Sequence, residues 1–162
     1  MHNDRITIEY TSYADVSELD PSDRSLIEHA RTIASTAYAP YSRFRVGAVA
    51  ELTDGSRVTG TNQENASYPV GLCAERVLLA ALSSIAPNGA ISKMAISYES
   101  DAVASNEPVA PCGICRQSLV EYETRNGSPM RLILSGSAGT VMIFNSALEL
   151  LPLAFHPAHL GR

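Results

Sequence analysis

Apolar residues recur at three- and four-residue spacing between residues 26 and 37, which predicts an amphipathic helix. Asp20 followed by Pro21 is typical of a helix N-terminus, and Asp23 adds a second acid in the first turn. Pro40 cannot continue a helix. We therefore predict a helix that begins after Asp20 and ends before Pro40.

From Phe44 the period shortens to two, with Val46, Ala48, Ala50 and Leu52 on one face, which is the period of a strand. Asp54-Gly55 is a strong signal for a tight turn, so residues 57 to 61 are predicted to return antiparallel to the first strand. Residues 62 to 71 are rich in Asn, Pro and Gly and are predicted to form a loop.

Two more helices and another strand are predicted further along the chain. Helical spacing of apolar residues returns from Cys73 to Ile85, and a further helix is predicted from Gly113 to Thr124. Between them, Met94 to Tyr98 is predicted to form a strand and residues 99 to 108 a loop.

The last two apolar runs, Met130 to Leu134 and Val141 to Phe144, are separated only by Ser135 to Thr140. A parallel crossover needs about a dozen residues, so we predict that these strands are antiparallel. Residues 146 to 152 are predicted to form a last helix, followed by a tail to Arg162. This order of elements predicts an α/β fold in which helices cover a mixed five-stranded sheet.

Residues 1 to 20 do not continue any of these patterns. Ile6 to Tyr10 is a candidate short strand, and the polar stretch from Ser12 to Asp20 has no sustained period. At 162 residues and 45% hydrophobic composition, the chain is long enough for one domain with a core. We predict an N-terminal extension over 1–20 and a single domain over 21–162.

Charge and hydropathy narrow the range of partners. The formal net charge is -5, and the basic residues are mostly isolated among acids. Nucleic-acid binding relies on clustered Lys and Arg, so we predict a small ligand and no nucleic acid. No stretch approaches the roughly 20 apolar residues of a membrane helix, and the first residues lack a signal-peptide pattern. These observations predict a cytoplasmic protein with no membrane partner.

All three cysteines lie in two short motifs, Cys73-Ala-Glu75 and Cys112-Gly-Ile-Cys115. An odd number of cysteines cannot all pair within the chain, which favours a metal or redox role in a reducing compartment. Three thiolates suit one tetrahedral zinc and leave a fourth position for water. Both motifs fall at predicted helix N-termini, where free N–H groups and the helix dipole favour thiolate. The sequence therefore predicts a zinc site.

Charged residues next to the cysteines supply the remaining chemistry. Glu75, two residues from a ligand, is placed to accept a proton from water at the metal and to pass it on. Three thiolates and Zn²⁺ sum to a net charge of about -1, which a neighbouring cation would offset. Arg76 is the predicted partner of the sulfurs, and Arg116 is either a second one or an ordinary surface residue.

Two other uses of the cysteines stay open. A histidine as fourth ligand would make this a closed structural zinc site, although no histidine lies in a motif with ligand spacing. A redox role for Cys-x-x-Cys is the other alternative, but it leaves Pro111 and Cys73 unexplained. The histidines are His2, His29, His156 and His159.

These motifs resemble those of the zinc-dependent cytidine deaminases, specifically the small homotetrameric type with three cysteine ligands. Further segments match the family in the same order, from about Pro21 onward. The resemblance implies a three-layer fold of the cytidine deaminase type. The matching segments are Tyr38-Ala-Pro-Tyr-Ser-Arg-Phe-Arg-Val-Gly-Ala48, Asn62-Gln-Glu-Asn-Ala-Ser-Tyr-Pro69, Cys73-Ala-Glu-Arg76, Pro111-Cys-Gly-Ile-Cys-Arg-Gln117 and Leu150-Leu-Pro-Leu-Ala-Phe155.

The resemblance also implies roles for individual residues. Cys73, Cys112 and Cys115 would hold one zinc ion per chain, and Glu75 would carry protons. Substrate contacts would come from six positions around this site. They are Phe44 on the pyrimidine, Asn62 and Glu64 on the ribose 3′ hydroxyl, the Ala74 backbone on the base, Tyr68 at a subunit interface beside the ribose, and Phe155 in a neighbouring subunit's site.

The implied activity is hydrolytic deamination of free cytidine and deoxycytidine to uridine and deoxyuridine, with release of ammonia, in pyrimidine salvage. Three alternatives stay open: a polynucleotide deaminase, an aminonucleoside deaminase on the same scaffold, and a zinc-stabilised binding module. By resemblance, polynucleotide deaminases run their last two strands parallel, which the short link from Ser135 to Thr140 disfavours.

Overall fold

The computed structural model describes residues 1 to 161, so Arg162, at the end of the predicted domain and tail, lies outside the described residues. Within them, one mixed sheet of six strands carries helices on both faces. The strands are β1 (Thr11–Tyr13), β2 (Phe44–Leu52), β3 (Arg57–Thr61), β4 (Ile91–Ser100), β5 (Arg131–Gly136) and β6 (Val141–Phe144). The helices are α1 (Pro21–Ala34), α2 (Ala74–Ile85) and α3 (Gly113–Asn126).

The strand order across the sheet is β1-β6-β5-β4-β2-β3, and β4 and β5 are parallel neighbours. The predicted α/β class is confirmed, and so is the antiparallel pairing of the last two strands, in which Leu132 lies opposite Phe144. The sheet has six strands rather than the predicted five, because Thr11–Tyr13 adds an edge strand beside β6. The candidate strand at Ile6–Tyr10 was therefore placed too early, since a three-residue strand is too short to show a period.

Two apolar layers hold the helices on the sheet. On one face, α1 packs its Leu26 and Ile27 against Val49, Ala95 and Ile133 of the sheet. On the other face, α2 and α3 cover β2, β4 and β5, which gives the three-layer order that the resemblance implies. The residues of that second layer include Leu78, Leu82, Leu119, Met94 and Leu132. Each helix within residues 1 to 161 is too short or too polar to cross a membrane.

The first 20 residues are joined to the sheet and to α1. The Asp20 carboxylate accepts hydrogen bonds from the backbone N–H groups of Ser22 and Asp23, at 2.9 and 3.0 Å, which confirms the predicted helix start. Leu19 is buried and packs in the same apolar layer as α1. The division between an extension over 1–20 and a domain from residue 21 stays a prediction.

The segment after β6 is shorter than predicted. Residues 147 to 150 form a 3-10 turn instead of an α-helix. Ser146 caps this turn by accepting from the Leu148 N–H, but Pro152 lacks the N–H that a further turn would need. Buried Glu123 of α3 fixes the turn by accepting a hydrogen bond from the Ala147 N–H at 2.8 Å.

The loop over residues 99 to 108 is attached to the turn between β5 and β6. Carbonyl oxygens of Ser105 and Asn106 accept hydrogen bonds from the N–H groups of Ala138 and Thr140, both at 3.1 Å. This close approach requires Gly139, where an added Cβ would lie 2.1 Å from the Asn106 oxygen. The loop leads directly to Val109 and the second cysteine motif, so this attachment fixes the chain on one side of the site.

We expect Gly139→Ala to destabilise the protein by more than Gly127→Ala does. Both glycines have positive φ, 71° and 66°, so alanine at either costs about 1 to 2 kcal/mol of backbone strain. Nothing lies within 4 Å of a Cβ added at Gly127, whereas at Gly139 the clash with Asn106 adds about 1 to 3 kcal/mol. Urea unfolding of both variants measures the difference, and equal losses would contradict the close approach.

Candidate zinc centre and active site

The three cysteines meet where two helices begin. Cys73 and Cys112 occupy the N-cap positions of α2 and α3, and Cys115 lies in the first turn of α3. Their sulfur atoms all lie within 4.8 Å of one another, and Cys73 Sγ is 3.8 Å from Cys112 Sγ. Sequence motifs separated by 39 residues thus form one cluster. No histidine joins this cluster within residues 1 to 161.

The cluster fits a tetrahedral zinc ion. Zinc–thiolate bonds of about 2.3 Å at tetrahedral angles place two sulfurs about 3.8 Å apart, which is the separation of Cys73 and Cys112. Cys115 is fully buried, while Cys112 is exposed, so the sulfurs form the floor of an open site. Three protein ligands with an open fourth side are typical of a catalytic zinc rather than a structural one.

The protein itself, without a metal, stabilises a negative charge on one of the sulfurs. A hydrogen bond from Cys115 lowers the pKa of the Cys73 thiol to about 6, and the nearby positive charge of Arg76 acts in the same direction. The same hydrogen bond, together with burial, raises the pKa of Cys115. One thiolate is therefore already stabilised at neutral pH, as metal binding requires.

Glu75 is the buried carboxyl group of this site. It is the second residue of α2 and is 4% exposed. Burial raises its pKa above the usual range, and the negative charge of Cys73 adds to this effect. A carboxyl group with a raised pKa holds a proton more readily than an ordinary one, which suits a group that must both accept and release protons.

Cys73, Cys112 and Glu75 line a cavity of about 470 Å³. Small-molecule sites in proteins commonly have this size. Seven of the residues predicted from the family pattern line it, namely Phe44, Asn62, Glu64, Tyr68, Cys73, Cys112 and Glu75. Three others, Ala74, Cys115 and Phe155, are not among the residues that line it within the described part of the chain. Ala74 and Cys115 are fully buried, and Phe155 is exposed.

Asn62 and Glu64 hold the chain that enters β2. Asn62 Oδ1 accepts from the Val46 N–H at 2.7 Å, and its Nδ2 donates to the Phe44 carbonyl at 2.9 Å. The Glu64 carboxylate accepts from the backbone N–H groups of Tyr41 and Ser42 at 2.8 and 3.2 Å. Hydrogen bonds, chiefly with Ser42, lower the pKa of Glu64, so it carries a negative charge at neutral pH. Both side chains thus fix Phe44 in the cavity wall.

The two arginines next to the cysteine motifs differ in their contacts. Arg116 donates to the carbonyl oxygens of Pro111 and Leu150 at 2.7 and 3.3 Å, and not to a sulfur. It therefore joins the start of α3 to the C-terminal segment. The charge of Arg76 lowers the pKa of Cys73, and its predicted role as a hydrogen-bond donor to the sulfurs stays a prediction.

Phe155 is held from α3 by a side chain whose role the sequence did not suggest. Gln117 donates through Nε2 to the Phe155 carbonyl at 2.8 Å and accepts from the Phe155 N–H at 3.1 Å. These two hydrogen bonds resemble those between neighbouring strands, and Phe155 stays 56% exposed. Gln117 follows Cys115 by two residues, and this proximity to a cysteine motif was the feature of the sequence that could have indicated a role for it.

Comparisons with known proteins agree with this geometry. A family described as "Cytidine and deoxycytidylate deaminase zinc-binding region" matches residues 20–127. The chain is 44% identical over 96 residues to a cytidine deaminase of Halalkalibacterium halodurans, covering 59% of this chain and 68% of that protein. It is 37% identical over 130 residues to a cytidine deaminase of Sporosarcina psychrophila, covering 80% and 88%.

Solved structures of similar sequence share the fold over nearly their full length. The cytidine deaminase of Burkholderia pseudomallei superposes with a TM-score of 0.71 at 37% identity, covering 81% of this chain and 97% of that one. The enzyme from Mycobacterium tuberculosis gives 0.64 at 34%, covering 84% and 98%. The matched family region contains both cysteine motifs, which fit one zinc ion per chain. The chain therefore belongs to the cytidine and deoxycytidylate deaminase zinc-binding family.

Proposed function

We propose that this protein catalyses the hydrolytic deamination of free cytidine and deoxycytidine to uridine and deoxyuridine, releasing ammonia, as a step of pyrimidine salvage. The observation that carries the proposal is the buried Glu75 carboxyl group, which lines a cavity of about 470 Å³ together with two of the three convergent cysteines. The relatives described above are named cytidine deaminases, which supports the substrate class.

Cys73, Cys112 and Cys115 would hold the zinc ion. When bound, zinc in such a site lowers the pKa of water toward about 7 and so supplies a nucleophile at neutral pH. The Glu75 carboxylate accepts a proton from the attacking water and delivers it to N3 of the pyrimidine. Glu75 then takes the second proton of that water from the hydroxyl group now on C4 and passes it to the amino nitrogen at C4. The water oxygen stays on C4, and the amino group leaves as ammonia, so one water is consumed for each ammonia released.

The nucleoside would be held by residues around the cavity. The ring of Phe44 meets the pyrimidine, and the Ala74 backbone and Glu75 contact the polar edge of the base. Asn62 has one Nδ2 hydrogen, and Glu64 has lone pairs, that the hydrogen bonds described above do not use. These remaining groups suit a ribose 3′ hydroxyl.

The neighbouring subunit would complete the site in a homotetramer. Phe155 is 56% exposed with its backbone held by Gln117, and Tyr68 lines the cavity and is 75% exposed. Exposed aromatic rings of this kind are enriched in protein interfaces. Arg76 would offset the negative charge of the thiolates. The need for reduced cysteines is in keeping with the predicted cytoplasmic location.

A free nucleoside is favoured over a polynucleotide by two observations. The antiparallel pairing of β5 and β6 differs from the parallel strands that the resemblance implies for polynucleotide deaminases, and the net charge of -5 provides no track for phosphates.

The proposal is tested by the loss of ultraviolet absorbance when the purified protein is mixed with cytidine. We expect turnover that a zinc chelator abolishes and that added zinc restores. A flat trace with cytidine and deoxycytidine in the zinc-loaded protein would refute the proposal and favour a binding module. Faster turnover of a cytosine-containing single-stranded oligonucleotide would reverse the substrate assignment.

A further inference from the structure

Tyr98 is an aromatic residue of the cavity that has no part in the chemistry described above. Its ring stacks on the ring of Phe44, with centroids 4.8 Å apart and planes at 10°. In the register of β2 and β4, Tyr98 lies opposite Val46, so its side chain lies on the same face of the sheet as Phe44. One face of Phe44 is therefore covered by Tyr98, and the ring is fixed in a single plane.

The hydroxyl group of Tyr98 has no hydrogen-bond partner among residues 1 to 161, although the residue is only 7% exposed. In the same part of the chain, Asn126 Nδ2 is the fully enclosed side-chain polar atom that lacks a partner. The Tyr98 hydroxyl is not enclosed in that way, so it keeps access to solvent. Tyr98 lines the cavity, and the cavity provides that access.

The loop over residues 99 to 108 fills the place beside Tyr98 where the neighbouring strand has no side chain. In β5, Gly136 lies opposite Tyr98 and contributes no side chain. The Ser105 carbonyl crosses at this position, 2.1 Å from where a Cβ of residue 136 would lie. The loop over residues 99 to 108 therefore shields the outer side of Tyr98, and the cavity is the open side. A tyrosine hydroxyl in such surroundings normally has a polar partner.

We propose that Tyr98 is a further substrate-binding residue: its ring fixes the plane of Phe44, and its hydroxyl forms a hydrogen bond with the bound nucleoside. This inference rests on the proposed function for the nature of the ligand. The phenol group supplies one donor and can also accept, so it suits a sugar hydroxyl or a carbonyl oxygen of the base. The interaction is the same before and after deamination, so it contributes to binding and not to the chemical step.

The test compares Tyr98→Phe with wild type by calorimetric titration of the zinc-loaded protein with uridine, the product of the proposed reaction. We expect uridine to bind about 3- to 10-fold more weakly to the variant, with an unchanged melting temperature. For cytidine turnover, KM should rise by a similar factor while kcat stays the same. Tyr122→Phe is the matched control, because the Tyr122 hydroxyl donates to the Gly89 carbonyl at 2.9 Å. That variant should lose stability and keep its affinity for uridine.

Sugar analogues identify the partner atom. Titrations with 2′-deoxyuridine and 5′-deoxyuridine should abolish the Tyr98→Phe effect for the analogue that lacks the bonded hydroxyl. A loss that persists for both assigns the bond to the base or to the 3′ hydroxyl. Unchanged uridine affinity in Tyr98→Phe, or no uridine binding by the wild type, would overturn the inference. Weakened uridine binding in a protein that never deaminates cytidine would refute the proposed function and leave the inference intact.

Discussion

Replacing Glu75 with glutamine is expected to lower deaminase turnover by at least about 100-fold, and by as much as about 10,000-fold, while zinc stays bound. The amide has nearly the same shape as the carboxyl group, so the packing around this buried residue is retained. It cannot accept a proton from water or deliver one to the pyrimidine ring. Because the metal ligands are untouched, the loss should appear in kcat.

The measurement combines the cytidine absorbance assay with zinc analysis of the same preparation. Glu121→Gln is a suitable control, because it removes one carboxylate from an exposed position of the neighbouring helix α3. Turnover within a few-fold of wild type in Glu75→Gln, at full zinc content, would exclude Glu75 as the proton carrier. Equal losses in both variants would point to an effect of overall charge.

Replacing Cys115 with alanine is expected to remove both zinc and activity. Cys115 is fully buried and contributes one of the three sulfurs of the cluster, so no water can take its place without rearrangement. Loss of a residue that only hydrogen-bonds to a metal ligand lowers metal affinity about 10- to 100-fold, and loss of the ligand itself must lower it further. Turnover should fall to the level of the chelated wild-type protein.

Ser118→Ala provides the comparison for this prediction. Ser118 lies three residues further along α3, and its hydroxyl bonds to the Ile114 carbonyl within the helix. The control should keep one zinc ion per chain and normal turnover. Zinc content near one per chain in Cys115→Ala after dialysis would exclude Cys115 as a ligand.

Local patterns in the sequence predicted the features that depend on neighbouring residues. β2 has the predicted bounds, Phe44–Leu52, because apolar residues occupy every second position on one face from Phe44 to Leu52. The start of α1 after Asp20 follows from a cap that bonds within its own turn. The proximity of the two cysteine motifs was predictable because both carry thiols, and three thiolates can bind one zinc ion.

Features that depend on distant contacts were not predictable in this way. Thr11–Tyr13 becomes a strand only because β6 offers it an edge. Arg116 follows a ligand and was a candidate partner of the sulfurs, yet it donates to the Pro111 and Leu150 carbonyls, and Leu150 is 34 residues away in the sequence. Tyr98 falls on an apolar position of a strand, where the pattern cannot distinguish a core ring from one that borders a cavity.

The double hydrogen bond between Gln117 and Phe155 would couple two events, zinc binding and subunit association. The helix that holds Phe155 also begins with the zinc ligands Cys112 and Cys115. If Phe155 completes a neighbouring site, metal uptake and subunit association both stabilise one conformation of α3, and each favours the other by mass action. A newly made chain that had not bound zinc would then associate with other chains more weakly than a chain that had bound it.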